Sequence, residues 1–257
     1  MTHSPEPKYR APALEKGLAV LELLAAAHAP MSLNAVSRAL NRSMSELFRM
    51  IQVLEFHGYL ELASSGEGYV LSNKLFALGM KRAPIRNLHD AALPIMHRLA
   101  ESIGQSCHLG VASAEQMVIV ARVEAPGYLG FSVRVGYRRP LVDSTSGLVL
   151  YAFQSELVRT EWKRRLAPTV ERREWVRFER QGHAARKSGY VTSESHDVQG
   201  VIDLSAPVTQ SGGVAAALTV PYMKSARSLT VPETVGPLVA AAHEISAELG
   251  GNAPASD

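Results

Sequence analysis

The chain has 257 residues, 46% of them hydrophobic, a formal net charge of +3 and a single cysteine, Cys107. That length admits two domains, or one large one, with substantial cores. No apolar run is long enough to span a membrane. One cysteine excludes an intramolecular disulfide and a cysteine-only structural zinc site.

Residues 1–12 are Pro-rich, lack the hydrophobic region of a signal peptide and read as a disordered lead, so a cytoplasmic protein is expected. Leu14, Leu18, Leu21 and Leu24 recur at helical spacing and predict a helix over residues 13–27. Residues 32–71 are the stretch around which the chain is organised. Leu33, Val36 and Leu40 share one helical face, and Leu47, Met50, Ile51 and Leu54 share another, with Asn41-Arg42 as a polar turn between them. Two short strands joined by residues 64–68 complete a winged helix-turn-helix over residues 13–72. Ser43-Met44-Ser45-Glu46 fits a capping box at the start of the second helix. Arg38, Arg42 and Arg49 surround the turn and are candidates for phosphate or base contact. Ser43 and Ser45 stand at the helix start, and Gly66 and Gly68 in the wing would let its backbone approach a minor groove. Glu46 reads as a cap in preference to a reader of a cytosine amino group. Residues 1–80 hold seven basic and seven acidic residues, so any DNA-binding field must come from placement.

Residues 73–88 read as a linker helix and residues 89–251 as a second domain, followed by a tail at 252–257. A helix over residues 89–103 carries Ala92, Ile95, Met96 and Leu99 inward, and Gly104 ends it. The period then changes from 3.6 to 2. Strands are predicted over residues 106–112 and 117–124, with a short one over 131–135. Helices are predicted over residues 144–153, 156–165 and 172–187. The last is rich in Arg and Glu and reads as a solvated helix with i,i+4 ion pairs. Strands over residues 201–208 and 214–220 pair across a tight turn, and a helix over residues 232–249 closes the domain. Strand pairs joined by tight turns, with helices between them, predict an α+β class with an antiparallel sheet.

The chain from about Ala13 to Gly251 resembles the IclR family of bacterial transcriptional regulators. The matching words include Lys16-Gly17-Leu18-Ala19-Val20-Leu21, Arg49, Gly58-Tyr59-Leu60, Tyr69-Val70-Leu71 and Leu78-Gly79. They continue with His108-Leu109, Val135-Gly136, Pro140, Gly147, Gly189-Tyr190, Gly200 and Ala206-Pro207-Val208. Their order and spacing carry the match. The resemblance implies a winged helix-turn-helix followed by a GAF-like (profilin-like) effector domain. It also implies homodimers or dimers of dimers on palindromic double-stranded DNA operators. The chain departs from the family at Leu148, where a lysine is usual, and at Met44 to Glu46, where a small residue and Thr or Ser are common.

Alternation places the effector pocket. Val201, Asp203, Ser205 and Pro207 share a face unusually polar for a central strand, while Ile202, Leu204, Ala206 and Val208 face a helix-packed core. On the neighbouring strand Ala215, Ala217 and Thr219 alternate with Val214, Ala216, Leu218 and Val220. His108, Gly110 and Ala112 share a face of the earlier strand. Carried over from the family by position, the effector contacts are Thr145, Ser146, Ser193, Asp203, Thr219 and Pro221; alternation adds His108 and Ser205. Thr145 and Ser146 are equally readable as helix caps. His108 also fits a satisfied core histidine, and Asp203 a structural partner of Arg122 or Arg134. These side chains suit a metabolite that is a hydroxylated acid or sugar-like. No cofactor, metal site or catalytic constellation is recognisable: GxSxG, HExxH, P-loop and GxGxxG are absent. The reading is a ligand-responsive DNA-binding regulator. Its alternative is a small-molecule sensor acting through protein contacts.

Overall fold

The computed structural model describes residues 11–27, 29–63, 67–80, 83–127, 130–195, 197–210, 213–225 and 228–250. The chain divides after Ala83 into two compact units.

In the first unit α1 (Pro12–Ala26) opens with Pro12 at its first turn, where a missing N–H removes nothing. Ser32 caps α2 (Leu33–Leu40), its hydroxyl accepting from the Ala35 N–H at 3.3 Å. Asn41 ends it in the left-handed region, φ 49°, and reverses the chain into α3 (Met44–Phe56). The three helices close over Val20, Leu24, Val36, Leu47, Ile51 and Leu60. Only the second half of the α1 leucine stripe reaches this core: Leu14 and Leu18 are exposed. Strands β1 (Leu60–Leu62) and β2 (Tyr69–Leu71) form the wing. The wing is stitched to the start of α2 by paired backbone hydrogen bonds between Tyr69 and Met31, at 2.9 and 3.1 Å. A seven-residue helix α4 (Lys74–Met80) ends the unit.

In the second unit α5 (Ala83–Ile103) begins six residues before the expected start, and Gly104 ends it at φ +64°. The strands are β3 (Cys107–Ser113), β4 (Gln116–Val123), β5 (Arg138–Pro140), β6 (Val191–Glu194), β7 (Val201–Gln210) and β8 (Gly213–Met223). They form one antiparallel sheet in the order β5-β4-β3-β8-β7-β6. The expected strand at residues 131–135 is not formed. Ile119 of β4 is hydrogen-bonded instead by Gly136 and Tyr137, so edge pairing starts only at Arg138.

Helices α5 and α9 (Val231–Glu248) cover one face of the sheet, over a core that includes Ala92, Met96, Leu109, Leu204, Leu218 and Leu238. On the other face lies α6 (Thr145–Ala152), buried at all eight positions. Outside it come α7 (Glu156–Leu166) and α8 (Arg172–Ser188). The alternation of β7 is as expected. On β8 an extra residue, Ala215, is left between the pairs Val208–Ala216 and Thr209–Val214, so Val214 turns to the α6 side. Helix α8 is not simply a solvated helix: Trp175, Phe178, Gly182 and Ala185 are buried beneath it. A Cβ at Gly182 would stand 3.4 Å from that of Ala152, so glycine sets how closely α8 lies on α6. No helix among the described residues is long and apolar enough to cross a membrane.

Candidate functional site

Each unit presents one candidate surface. In the first, burial of Leu47 and Ile51 turns the opposite side of α3 to solvent. Ser45, Phe48, Arg49 and Gln52, spaced i, i+3, i+4, i+7, are all exposed there. Arg38 and Arg42 are exposed beside the turn. This is the geometry of a helix offering side chains to a groove, with guanidinium groups at its margin. Sequence reasoning missed Phe48, 47% exposed on this face.

Two expectations change in this unit. Ser43 does cap α3, accepting from the Glu46 N–H at 3.4 Å, but the reciprocal half of the box is missing. The Glu46 carboxylate instead takes a hydrogen bond from Lys16 Nζ of α1 at 2.9 Å. That bond, first, and the Lys16 charge hold its carboxyl below the ordinary range. Gly68, at φ +95°, is required by the fold: a Cβ would meet the Met31 carbonyl carbon at 2.8 Å. Its glycine serves the wing-to-helix stitch. Gly66 lies outside the described residues.

In the second unit the register places Ser205, Thr219, His108 and Arg122 in one row across β7, β8, β3 and β4. The row faces α6. Gly110, two residues along β3 from His108, keeps the sheet clear for Met117 and for Ser146 of α6. Ser146 Oγ meets Thr219 Oγ1 at 2.9 Å, and Ser205 Oγ meets the same atom at 2.7 Å. Above this buried hydroxyl chain is a half-open cleft with about 470 Å³ of empty space, part of it open to solvent. Its lining includes His108, Asp203 and the start of α6 (Ser144, Thr145, Ser146), together with Phe131, Val133, Tyr137, Arg139, Ser195 and Asp197.

Of the expected effector contacts, His108, Thr145, Ser146 and Asp203 therefore line the cleft. Ser205 and Thr219 lie just beneath it in the hydroxyl chain. Ser193 and Pro221 flank Asp203 in register without lining it. Thr145 donates to Asp203 Oδ2 at 3.4 Å. The N-cap of α6 is neither Thr145 nor Ser146 but Ser144, whose Oγ accepts from the Gly147 N–H at 3.0 Å. Arg122 pairs with Glu124 at 2.8 Å.

The charged half of the cleft was not legible. Arg139 is gripped by Asp143, at 2.9 Å, and by Asp197, and it also meets Tyr137 Oη at 3.3 Å. Burial alone would lower its pKa, but the hydrogen bonds to Asp197 and Tyr137 and the two carboxylate charges outweigh it and keep the guanidinium charged. His108 is buried, and burial pushes its pKa down to about 4, so its ring is neutral at pH 7. Its Nδ1 has no hydrogen-bond partner among the described residues. Leaving such an atom unpaired costs roughly 1–3 kcal/mol, a cost that a polar ligand in the cleft would remove. Cys107, beside it in sequence, points into the opposite core, and burial pushes its thiol up to about 12, which makes it an inert packing residue.

Comparison with known proteins gives the same division. The family model described as "Bacterial transcriptional regulator IclR C-terminal" matches residues 81–247. The one described as "IclR helix-turn-helix domain" matches residues 13–63. The glycerol operon regulatory protein of Streptomyces coelicolor is 27% identical over 76% of this chain and 78% of its own length. The HTH-type transcriptional regulator KdgR of Escherichia coli is 25% identical over 86% of each chain. Among solved structures, an IclR homolog from Microbacterium hydrocarbonoxydans complexed with 4-hydroxybenzoate superimposes with a TM-score of 0.76 at 24% identity. That superposition covers 93% of this chain and 99% of the homolog.

Proposed function

The chain belongs to the IclR family of bacterial transcriptional regulators, with a helix-turn-helix DNA-binding domain and a C-terminal effector domain, and from that premise we propose that a small hydroxylated metabolite, bound beside His108, sets its affinity for a palindromic operator. The observation that carries the reading is the neutral, buried His108 among the residues lining the cleft, its Nδ1 without a partner among the described residues. A ligand hydroxyl donating to that nitrogen would satisfy it, and a second hydroxyl could donate to the Asp203 carboxylate beside its bond from Thr145. Arg139 is already engaged by two carboxylates, whose charges compete with a ligand carboxylate for it. Hydroxyls are thus the better-matched groups, in a sugar-like molecule or a hydroxylated acid. The Microbacterium homolog crystallised with a hydroxylated ligand is in keeping with this.

On the DNA side, Arg49 and Ser45 read base edges from α3, and Arg38 and Arg42 hold phosphates. Two such helices in a homodimer, or four in a dimer of dimers, meet a palindrome. Leu14 and Leu18, apolar and exposed on α1, are available to a second copy. The ligand acts by preferring one placement of the paired DNA-binding domains over another.

The test is to titrate the protein onto its own upstream intergenic DNA at several salt concentrations with a scrambled competitor. Binding that prefers the native sequence, weakens steeply with salt and loses its preference in Arg49→Ala supports the reading. No preference on that DNA, or on sequences from a genome-wide selection, would favour a sensor that acts through protein contacts.

A further inference from the structure

The winged helix-turn-helix over residues 13–72 carries four basic and six acidic residues, so no positive excess resides in it. Residues 1–80 balance at seven basic and seven acidic residues, whereas residues 156–188 hold ten basic and five acidic ones, an excess of five. The structure shows where that excess goes. On α8 the buried positions Trp175, Phe178, Gly182 and Ala185 fix the inner face. The face turned 180° away carries Arg173, Arg177, Arg180 and Lys187, all exposed, at spacings of four, three and seven residues.

The acidic residues of the helix do not neutralise this stripe. Glu174 accepts the Glu171 N–H in the N-terminal cap, and Glu179 bonds Lys163 of α7 at 3.0 Å. Arg173 has a bond to Glu171 at 2.8 Å, a pair with both side chains mostly in solvent. Arg177, Arg180 and Lys187 have no ion-pair partner among the described residues. The i,i+4 pairing that the composition predicted for this helix is therefore replaced by a one-sign row. Between Arg173 and Lys187 the row runs about 21 Å at roughly 1.5 Å per residue. Duplex DNA presents one phosphate per about 3.4 Å of axis on each strand, so a row of that length faces about six of them.

We propose that the outer face of α8 is a second, sequence-independent DNA contact that supplies electrostatic attraction the winged helix-turn-helix over residues 13–72 lacks. This rests on the reading of the protein as a DNA-binding regulator but needs no operator to be known. The four cations bind phosphates without reading bases, and α3 supplies the sequence preference. Acidic protein is the competing partner, and the test is built to separate the two.

The experiment uses the full chain and a generic duplex of unrelated sequence, with nonspecific affinity measured at several salt concentrations. Each phosphate contact contributes about 0.9 to the slope of log K against log salt. Arg177→Glu with Arg180→Glu should lower that slope by about 1.8. The loss of affinity between 50 and 200 mM salt should then be smaller in the variant than in the wild type by about twelvefold. Arg49→Ala should remove any preference for a specific site, a preference the α8 variant should retain. A thermal melt coinciding with wild type checks that the exposed substitutions leave the fold intact; if that pair unfolds, Arg177→Gln with Arg180→Gln gives the same reading. Equal generic slopes in a folded variant would overturn the proposal and leave an acidic protein surface as the partner of the stripe. Absence of any specific site, with the slope still reduced, would count against the operator reading and not against this one.

Discussion

Thr219 Oγ1 is the hub of the hydroxyl chain beneath the cleft, bonded to Ser146 at 2.9 Å and to Ser205 at 2.7 Å. All three residues are at most 3% exposed. Thr219→Val keeps the shape and removes one oxygen, so it creates no cavity and strands two buried hydroxyls. Each lost bond is worth about 1 kcal/mol net, and each stranded group adds some of its desolvation cost, so the expected destabilisation is about 3 kcal/mol. For a unit of this size, 1 kcal/mol moves Tm by about 2–4 °C, which predicts a fall of roughly 6–12 °C. Ser205→Ala alone should cost about 1 kcal/mol. The double variant should cost about 2 kcal/mol, less than the sum, because Ser205 no longer has a hydroxyl to strand. The assay is urea or thermal unfolding followed by tryptophan fluorescence. Both tryptophans, Trp162 and Trp175, lie in the second unit, so the signal reports that unit alone. Strict additivity, or a loss under about 0.5 kcal/mol for Thr219→Val, would refute the claim that this chain holds the floor of the cleft.

Two glycines in helices should respond very differently in the same unfolding assay. A Cβ at Gly147 would lie 2.1 Å from the Leu141 carbonyl oxygen, so Gly147→Ala should cost about 4 kcal/mol or prevent folding of the unit. Beyond its chain neighbours nothing lies within 4 Å of a Cβ at exposed Gly236, but Pro237 follows it and disfavours a helical residue with a Cβ, which offsets the propensity gain, so Gly236→Ala should change stability by less than about 1 kcal/mol. His108 has a folded pKa of about 4 against an ordinary 6.5, so between those values the unfolded chain binds more protons. Stability contributed by the neutral ring is complete above pH 6.5 and is lost as pH falls toward 4. The loss approaches about 3 kcal/mol, and His108→Leu should flatten that part of a stability–pH profile. At the start of α3, Glu46 carries a negative charge beside the face proposed to meet DNA, its carboxylate bonded by Lys16. Glu46→Gln should tighten binding to any duplex about threefold to tenfold at 50 mM salt, with the gain shrinking as salt rises. Unchanged affinity in a gel-shift or anisotropy titration would place Glu46 away from the interface.

The sequence exposed whatever depends on local period and left hidden whatever depends on distant partners. Period 2 in Val201 to Val208 separated the polar face of β7 from its core face, and the helix-turn-helix emerged from stripes and capping serines. The bulge at Ala215 breaks the same rule one strand away, since an inserted residue leaves no mark on composition. The 131–135 stretch alternates like a strand, yet Gly136 and Tyr137 take the Ile119 hydrogen bonds it would have needed. Glu46 satisfied a local capping pattern, but Lys16, thirty residues earlier, holds its carboxylate. Arg139 and Asp197 are 58 residues apart, so the charged half of the cleft emerges only once the sheet edge and the loop after β6 meet. The α8 stripe was present in the sequence. Its meaning waited on which face Trp175 and Phe178 bury and on where Glu174 and Glu179 spend their charges.

Coupling between the cleft and DNA is the central claim. Hydroxylated metabolites can be screened for those that raise the melting temperature of the wild type and not of His108→Leu. The decisive measurement is operator Kd with and without such a compound at saturation. A shift of tenfold or more in the wild type, equivalent to about 1.4 kcal/mol of coupling, and none in His108→Leu is the predicted result. A compound that saturates the wild-type cleft while operator Kd stays the same would contradict it.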